Sequence, residues 1–129
     1  MLDIRGVRKS FRKPDGSELL LLDGIVFTLG VGEIIGLLGR SGSGKSTLLR
    51  SIAGLTPPSA GSVIYHGNEV TAPPPGIAMV FQGFALFPWL TVLENVQLGL
   101  EALGLSTGEL HRRAIEAIDL IGLDGFESA

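Results

Sequence analysis

Apolar positions change their spacing several times along the chain, and each change marks an element. Residues 2–11 alternate loosely between apolar and polar, the period of a half-buried strand. Lys13-Pro14-Asp15-Gly16 reads as a turn. Residues 19–22 open a second strand and residues 25–29 a third. After the Gly30-Val31-Gly32 turn, residues 33–38 (EIIGLL) form a short, nearly continuous apolar run, as in a strand buried on both faces. A glycine-rich loop spans residues 39–44, and a helix is expected from about Lys45, with Leu48, Leu49 and Ile52 inward and Gly54 as its stop. Residues 62–65 and 77–81 are short strand candidates on either side of the rigid Pro73-Pro74-Pro75-Gly76 loop.

The last third has helical spacing. Thr91 with Glu94, and Ser106 with Glu109, each have the capping-box pattern. Val92, Val96, Leu100 and Leu103 form one stripe. Leu110, Ala114, Ile118 and Ile121 form the next, with Arg112, Arg113, Glu116 and Asp119 outside. No internal repeat is visible.

Composition narrows the classes. Apolar residues are 45% of the 129, which excludes intrinsic disorder, and the net charge of −3 gives no basic nucleic-acid footprint. The absence of cysteine excludes disulfides, thiolate metal sites and cysteine nucleophiles. Residues 19–39 are apolar enough to raise a membrane span. Asp23, Glu33 and the interspersed glycines argue instead for buried strands joined by a turn. His66 beside Tyr65 reads as a hairpin residue and His111 as a solvated helix position.

The most specific chemistry lies at residues 39–47, GRSGSGKST, which fit G-x-x-x-x-G-K-[ST] in full. The motif follows an apolar strand candidate and opens a helix, the context it requires. Glycines let the backbone wrap a phosphate with its N–H groups pointing inward, and the helix N-terminus adds positive partial charge. Gly39, Arg40, Ser41, Gly42, Ser43 and Gly44 make the nucleotide-binding loop. Lys45 is expected to reach the β- and γ-phosphates, Ser46 to ligate Mg²⁺ and Thr47 to bond the α-phosphate.

Four features in order make the chain resemble the N-terminal half of an ABC transporter ATP-binding subunit. They are LDGIVFTLGVGEIIGLLG leading into the loop, GRSGSGKSTLLRSIAGL with the following P-x-x-G-x-V, the MVFQ ending at Gln82, and LFPWLTVLENV over residues 86–96. The last wording is similar to importers of the nitrate, sulfonate, taurine and bicarbonate group. The resemblance implies an α/β P-loop NTPase fold, with a mixed sheet and an antiparallel β part at the N-terminus. Residues 1–83 would form the nucleotide-binding core and residues 84–129 the beginning of a helical subdomain.

The resemblance also implies roles. Lys45 and Gln82 would serve catalysis, with Ser46 and Gln82 at the Mg²⁺ of a bound ATP. Arg40 lies inside the loop without matching a phosphate ligand of the family pattern. Phe11 matches the aromatic position that stacks on adenine; otherwise it is a strand's core residue. Phe84, Phe87 and Trp89 form either a socket for the coupling helix of a membrane permease subunit or part of the helical subdomain's core. The partners implied are transmembrane permease subunits, a second ATP-binding subunit in a head-to-tail dimer and, indirectly, a solute-binding protein, with no nucleic acid. The place implied is the cytoplasmic face of the cell membrane.

The 129 residues contain no LSGGQ-type signature, Walker B aspartate, catalytic glutamate or switch histidine. They reach about halfway through the expected ATPase. The full-length parent is therefore expected to hydrolyse ATP and this stretch alone hardly to do so. A non-hydrolysing nucleotide-binding module and the ATPase of an exporter or lipoprotein-releasing system remain alternatives. A small-molecule kinase would need an acceptor site and lid arginines, and MVFQ and Phe11 speak against it.

Overall fold

The computed structural model describes residues 1–83 and 86–129. They form two compact units, Met1–Val80 and Phe81–Ala129.

The first unit is a four-stranded antiparallel sheet with one helix on it. Strands β1 (Leu2–Arg12), β2 (Glu18–Leu29), β3 (Ala60–Tyr65) and β4 (Asn68–Glu69) lie in the order β2-β1-β3-β4. The two strands expected over residues 19–29 are one strand. Lys9 pairs with Leu22 and Val7 with Ile25, so β2 carries one extra residue at Asp23-Gly24. A bulge absorbs the polar pair that looked like a break. The first half of the greasy run is thus sheet, and no helix among the described residues is long and apolar enough to cross a membrane.

Helix α1 (Lys45–Ile52) packs Leu48 against Leu2, Ile4, Val7, Leu22 and Val63. Leu49, expected inward, is 44% exposed, and Ser51 is buried instead. Leu48, Ser51 and Ile52 follow i, i+3, i+4 spacing, which turns Leu49 outward. The helix stops as expected at Gly54, φ 72°, where Gly54 N–H donates to Ser51 and Leu55 N–H to Arg50. This pair of bonds is a Schellman ending. A Cβ on Gly54 would lie 2.4 Å from the Ala72 carbonyl oxygen, so only glycine fits. His66 and Gly67, both at positive φ, make the two-residue turn between β3 and β4.

Residues 33–38 and 77–81 differ from expectation: neither forms a strand. Strand status needs a ladder partner, and no described residue flanks either run with one. Ile34 and Leu38 are each 97% exposed, while Leu37 touches the core.

The second unit is a pair of packed helices, α2 (Val92–Glu101) and α3 (Thr107–Leu120). Ala114 and Ile118 are its buried residues. Leu103 and Ile121, the ends of the two expected stripes, lie just beyond the helices and are exposed. The Thr91–Glu94 capping box forms in both directions. The second box forms only in half. Ser106 accepts the Glu109 N–H, but the Glu109 carboxylate is taken by Arg112 and Arg113.

Candidate functional site

The glycine-rich loop ends at Gly44, which sits at φ 92° and starts α1 without a side-chain cap. A Cβ there would fall 2.7 Å from Leu22 Cδ2 and 3.2 Å from the Leu21 carbonyl oxygen. The loop therefore lies tightly on β2, and the sheet fixes where α1 begins. Gly39 is similarly close: its Cβ would meet Ser43 Oγ at 2.7 Å. At Gly44 both the approach and the backbone angle favour glycine, whereas at Gly39 only the movable Ser43 hydroxyl would have to give way.

The Lys45 ammonium folds back into the loop. It donates to the carbonyls of Gly39 and Arg40, each at 2.8 Å, and lies 3.4 Å from Ser43 Oγ. Ser43 N–H donates to the Arg40 carbonyl, which closes the turn. Ser46 is exposed and Thr47 half-buried on the first turn of the helix. Arg40, Ser41 and Gly42 are exposed. Beside the loop, a cavity of about 280 Å³ is lined by Leu22, Ile25 and Phe27 of β2 together with Gly39, Gly44 and Lys45.

This set suits a multiply charged oxyanion. A primary ammonium, a loop without Cβ atoms at its close approaches and an uncapped helix N-terminus all present positive charge or N–H groups at one place. The hydroxyls of Ser46 and Thr47 on the same turn add oxygen ligands of the kind Mg²⁺ takes. Among the described residues there is no cluster of three His, Asp or Glu side chains to hold a metal. A metal here would need oxygens from its phosphate partner, as Mg²⁺ usually does.

Phe11 lies in the same unit near the end of β1, paired with Leu19 and 43% exposed. It is not part of the sheet's buried core. Gln82 belongs to the second unit and is exposed. Phe87 and Trp89 also belong to that unit, 40% and 74% exposed, with ring centroids 5.2 Å apart. Phe84 lies outside the described residues.

The sequence reading passed over Asn95. Its Oδ1 accepts the Phe87 N–H at 2.9 Å, and its two Nδ2 hydrogens are shared among the carbonyls of Phe87, Leu90 and Thr91 at 3.0–3.1 Å. One amide so ties the aromatic loop to the start of α2. The available signal was an asparagine inside the first turns of an amphipathic helix, where its only unusual asset is a side chain able to donate and accept together.

The ABC transporter family matches residues 22–129. The bicarbonate transport ATP-binding protein CmpC of Synechococcus elongatus is 45% identical over 122 residues, covering 93% of this chain and 18% of CmpC. The nitrate import ATP-binding protein NrtD of Synechocystis is 41% identical over 128 residues, covering 99% of this chain and 48% of NrtD. Among solved structures, the dimeric bacterial ABC transporter cassette MJ0796 superposes with a TM-score of 0.86 at 29% identity, covering 99% of this chain and 60% of that one. The chain thus spans less than half the length of these curated relatives. Its uncapped glycine loop, its sheet and its sequence point the same way: the chain belongs to the ABC transporter family and carries part of the ATP-binding cassette.

Proposed function

We propose that the chain supplies the phosphate-binding half of an ATP-binding subunit whose full-length form couples ATP hydrolysis to solute import. The observation that carries this is the Lys45 ammonium held inside the Gly39–Gly44 loop at the open start of α1. The import direction follows the name of NrtD, a nitrate import protein, and solute transport that of CmpC, a bicarbonate transport protein.

In this reading the loop N–H groups and α1 cradle the phosphates, and Lys45 exchanges two carbonyl partners for phosphate oxygens. That exchange replaces neutral acceptors with charged ones and so pairs the ammonium with opposite charge. Ser46 would hold Mg²⁺, which when bound neutralises phosphate charge. Thr47 would bond the α-phosphate and Phe11 stack on adenine. The Gln82 amide, an acceptor and a double donor, would meet the metal or the attacking water and answer to a membrane partner.

The residues that complete hydrolysis would come from the rest of the parent and, across a head-to-tail dimer, from a second ATP-binding subunit. Phe87 and Trp89, braced by Asn95, would receive transmembrane permease subunits at the cytoplasmic face of the membrane, with a solute-binding protein acting through those subunits.

Titration calorimetry of Mg-ATP onto the chain tests the core of this reading. Lys45→Ala should weaken binding about ten- to a hundredfold, the worth of charge-assisted hydrogen bonds. Equal affinity in the variant would overturn it.

A further inference from the structure

We propose that Lys9 is a positioning residue for the Phe11 ring and so sets how well the base of a nucleotide is held. The inference rests on the stacking role given to Phe11 above.

Lys9 and Phe11 lie two apart on β1, so their side chains leave the same face of the strand. The Lys9 ammonium stands 5.3 Å from the Phe11 ring centroid, within the range of a cation–π contact. It is not a wandering surface charge. Its Nζ donates to the Pro57 carbonyl at 2.6 Å. The loop that carries Pro57 is in turn sewn to β1. Ser59 N–H donates to the Arg8 carbonyl at 2.8 Å, and Ser10 N–H donates to Ser59 Oγ at 3.1 Å.

The ammonium is therefore anchored from β1 and from the loop after α1 at once, and it rests over the ring of Phe11. Phe11 needs such support. It sits where β1 runs into the turn at residues 13–16, it is 43% exposed, and among the described residues it is not packed against the core cluster. An unsupported ring would lose rotamer freedom on stacking, whereas a ring already held by Lys9 has less to lose. The cation also draws on the ring's π density and leaves one face for a base.

The test compares Mg-ATP with Mg-tripolyphosphate, which has the phosphates and no base, on the full-length protein. Phe11→Ala should lower Mg-ATP affinity about five- to a hundredfold, the scale of base stacking, and leave tripolyphosphate unchanged. Lys9→Met should lower Mg-ATP affinity about two- to fivefold, again without touching tripolyphosphate. Lys9→Arg should restore it, since guanidinium also stacks on aromatic faces. The double variant should bind no more weakly than Phe11→Ala alone.

Unchanged tripolyphosphate binding also reports that each variant keeps its loop intact. Equal loss for both ligands would make Lys9 a simple attractor of phosphate charge and overturn the proposal. So would tighter Mg-ATP binding in Lys9→Met, which would mean the ammonium competes with the base. If Phe11→Ala leaves both ligands alone, the stacking reading itself fails and Lys9 falls with it. An effect of Phe11→Ala with none from Lys9→Met overturns Lys9 only.

Discussion

Helices α1 and α2 begin in opposite ways. At α2 almost every free donor is met. Thr91 Oγ1 accepts the Glu94 N–H, the Glu94 carboxylate accepts the Thr91 N–H at 2.8 Å, and the N–H groups of Val92 and Leu93 donate to the carbonyls of Ala129 and Glu127. At α1 the cap is Gly44, with no side chain to offer and no acid in the first turn. The first four N–H groups of any helix need partners from outside it. The second unit takes its partners from its own chain. The first leaves the place open and puts Lys45 beside it. One helix start is closed by its own chain and the other stands open, as the proposed phosphate site requires, and the difference is visible in which residue occupies the cap.

The comparison breaks most severely at Gly44. In Gly44→Ala the new Cβ meets Leu22 Cδ2 and the Leu21 carbonyl, at a φ that side chains avoid. Strain of this kind costs on the order of 1–3 kcal/mol. Chemical denaturation should show that loss, and Mg-ATP titration should show binding falling below detection as the loop lifts from β2. A variant of unchanged stability that still binds would mean the close seat of the loop on the sheet is incidental.

The same contrast explains what could be read from the chain and what could not. Residues 39–47 were legible because their chemistry is contiguous: loop, lysine and helix start follow one another. The Thr91 cap was legible for the same reason. Ser106 and Glu109 show the limit, since Arg112 and Arg113, three and four places beyond Glu109, compete for the carboxylate that the box needs. Residues 33–38 have a strand's composition but no ladder, because pairing is a property of neighbours and not of the run itself. The bulge at Asp23-Gly24 looked like a break because a local reading cannot see that β1 continues beside it. Lys9 and Asn95 stayed hidden because their partners are backbone carbonyls, which no side-chain pattern announces; Pro57 is 48 positions from Lys9.

A gentler change should affect only the finished start. Thr91→Ala removes the hydroxyl that accepts the Glu94 N–H and donates to the Glu94 carboxylate, and leaves only the residue 91 N–H on that carboxylate. Lost caps of this type cost about 1 kcal/mol. Hydrogen exchange should speed up in the first turn of α2 and leave α1 unchanged, and Thr91→Ser should recover the native rate. Equal acceleration in both helices would show that the two starts are not independent in the way their capping implies.

Acid gives the smallest and most selective test. The Glu109 carboxylate is drawn from the ordinary 4.5 down to about 2, first by its hydrogen bond to Arg112 and then by that to Arg113. Hydrogen bonds from Thr91 lower Glu94 as well. A carboxyl lowered in the folded state binds protons less readily there than in the unfolded chain. Its stabilisation is complete above 4.5 and fades as pH falls toward 2. Both groups are exposed enough for salt to screen them, so the effect is modest and should shrink as ionic strength rises. Helix α1 has no acid in its first turn and nothing comparable to lose. Amide exchange followed from pH 5 to 2 should therefore loosen the starts of α2 and α3 before that of α1. Glu109→Gln should remove the α3 part of the response, and Glu94→Gln the α2 part. If α1 loosens first, the open start is the weaker one even without its ligand, and the distinction between the two helices lies in the packing around them rather than in their caps.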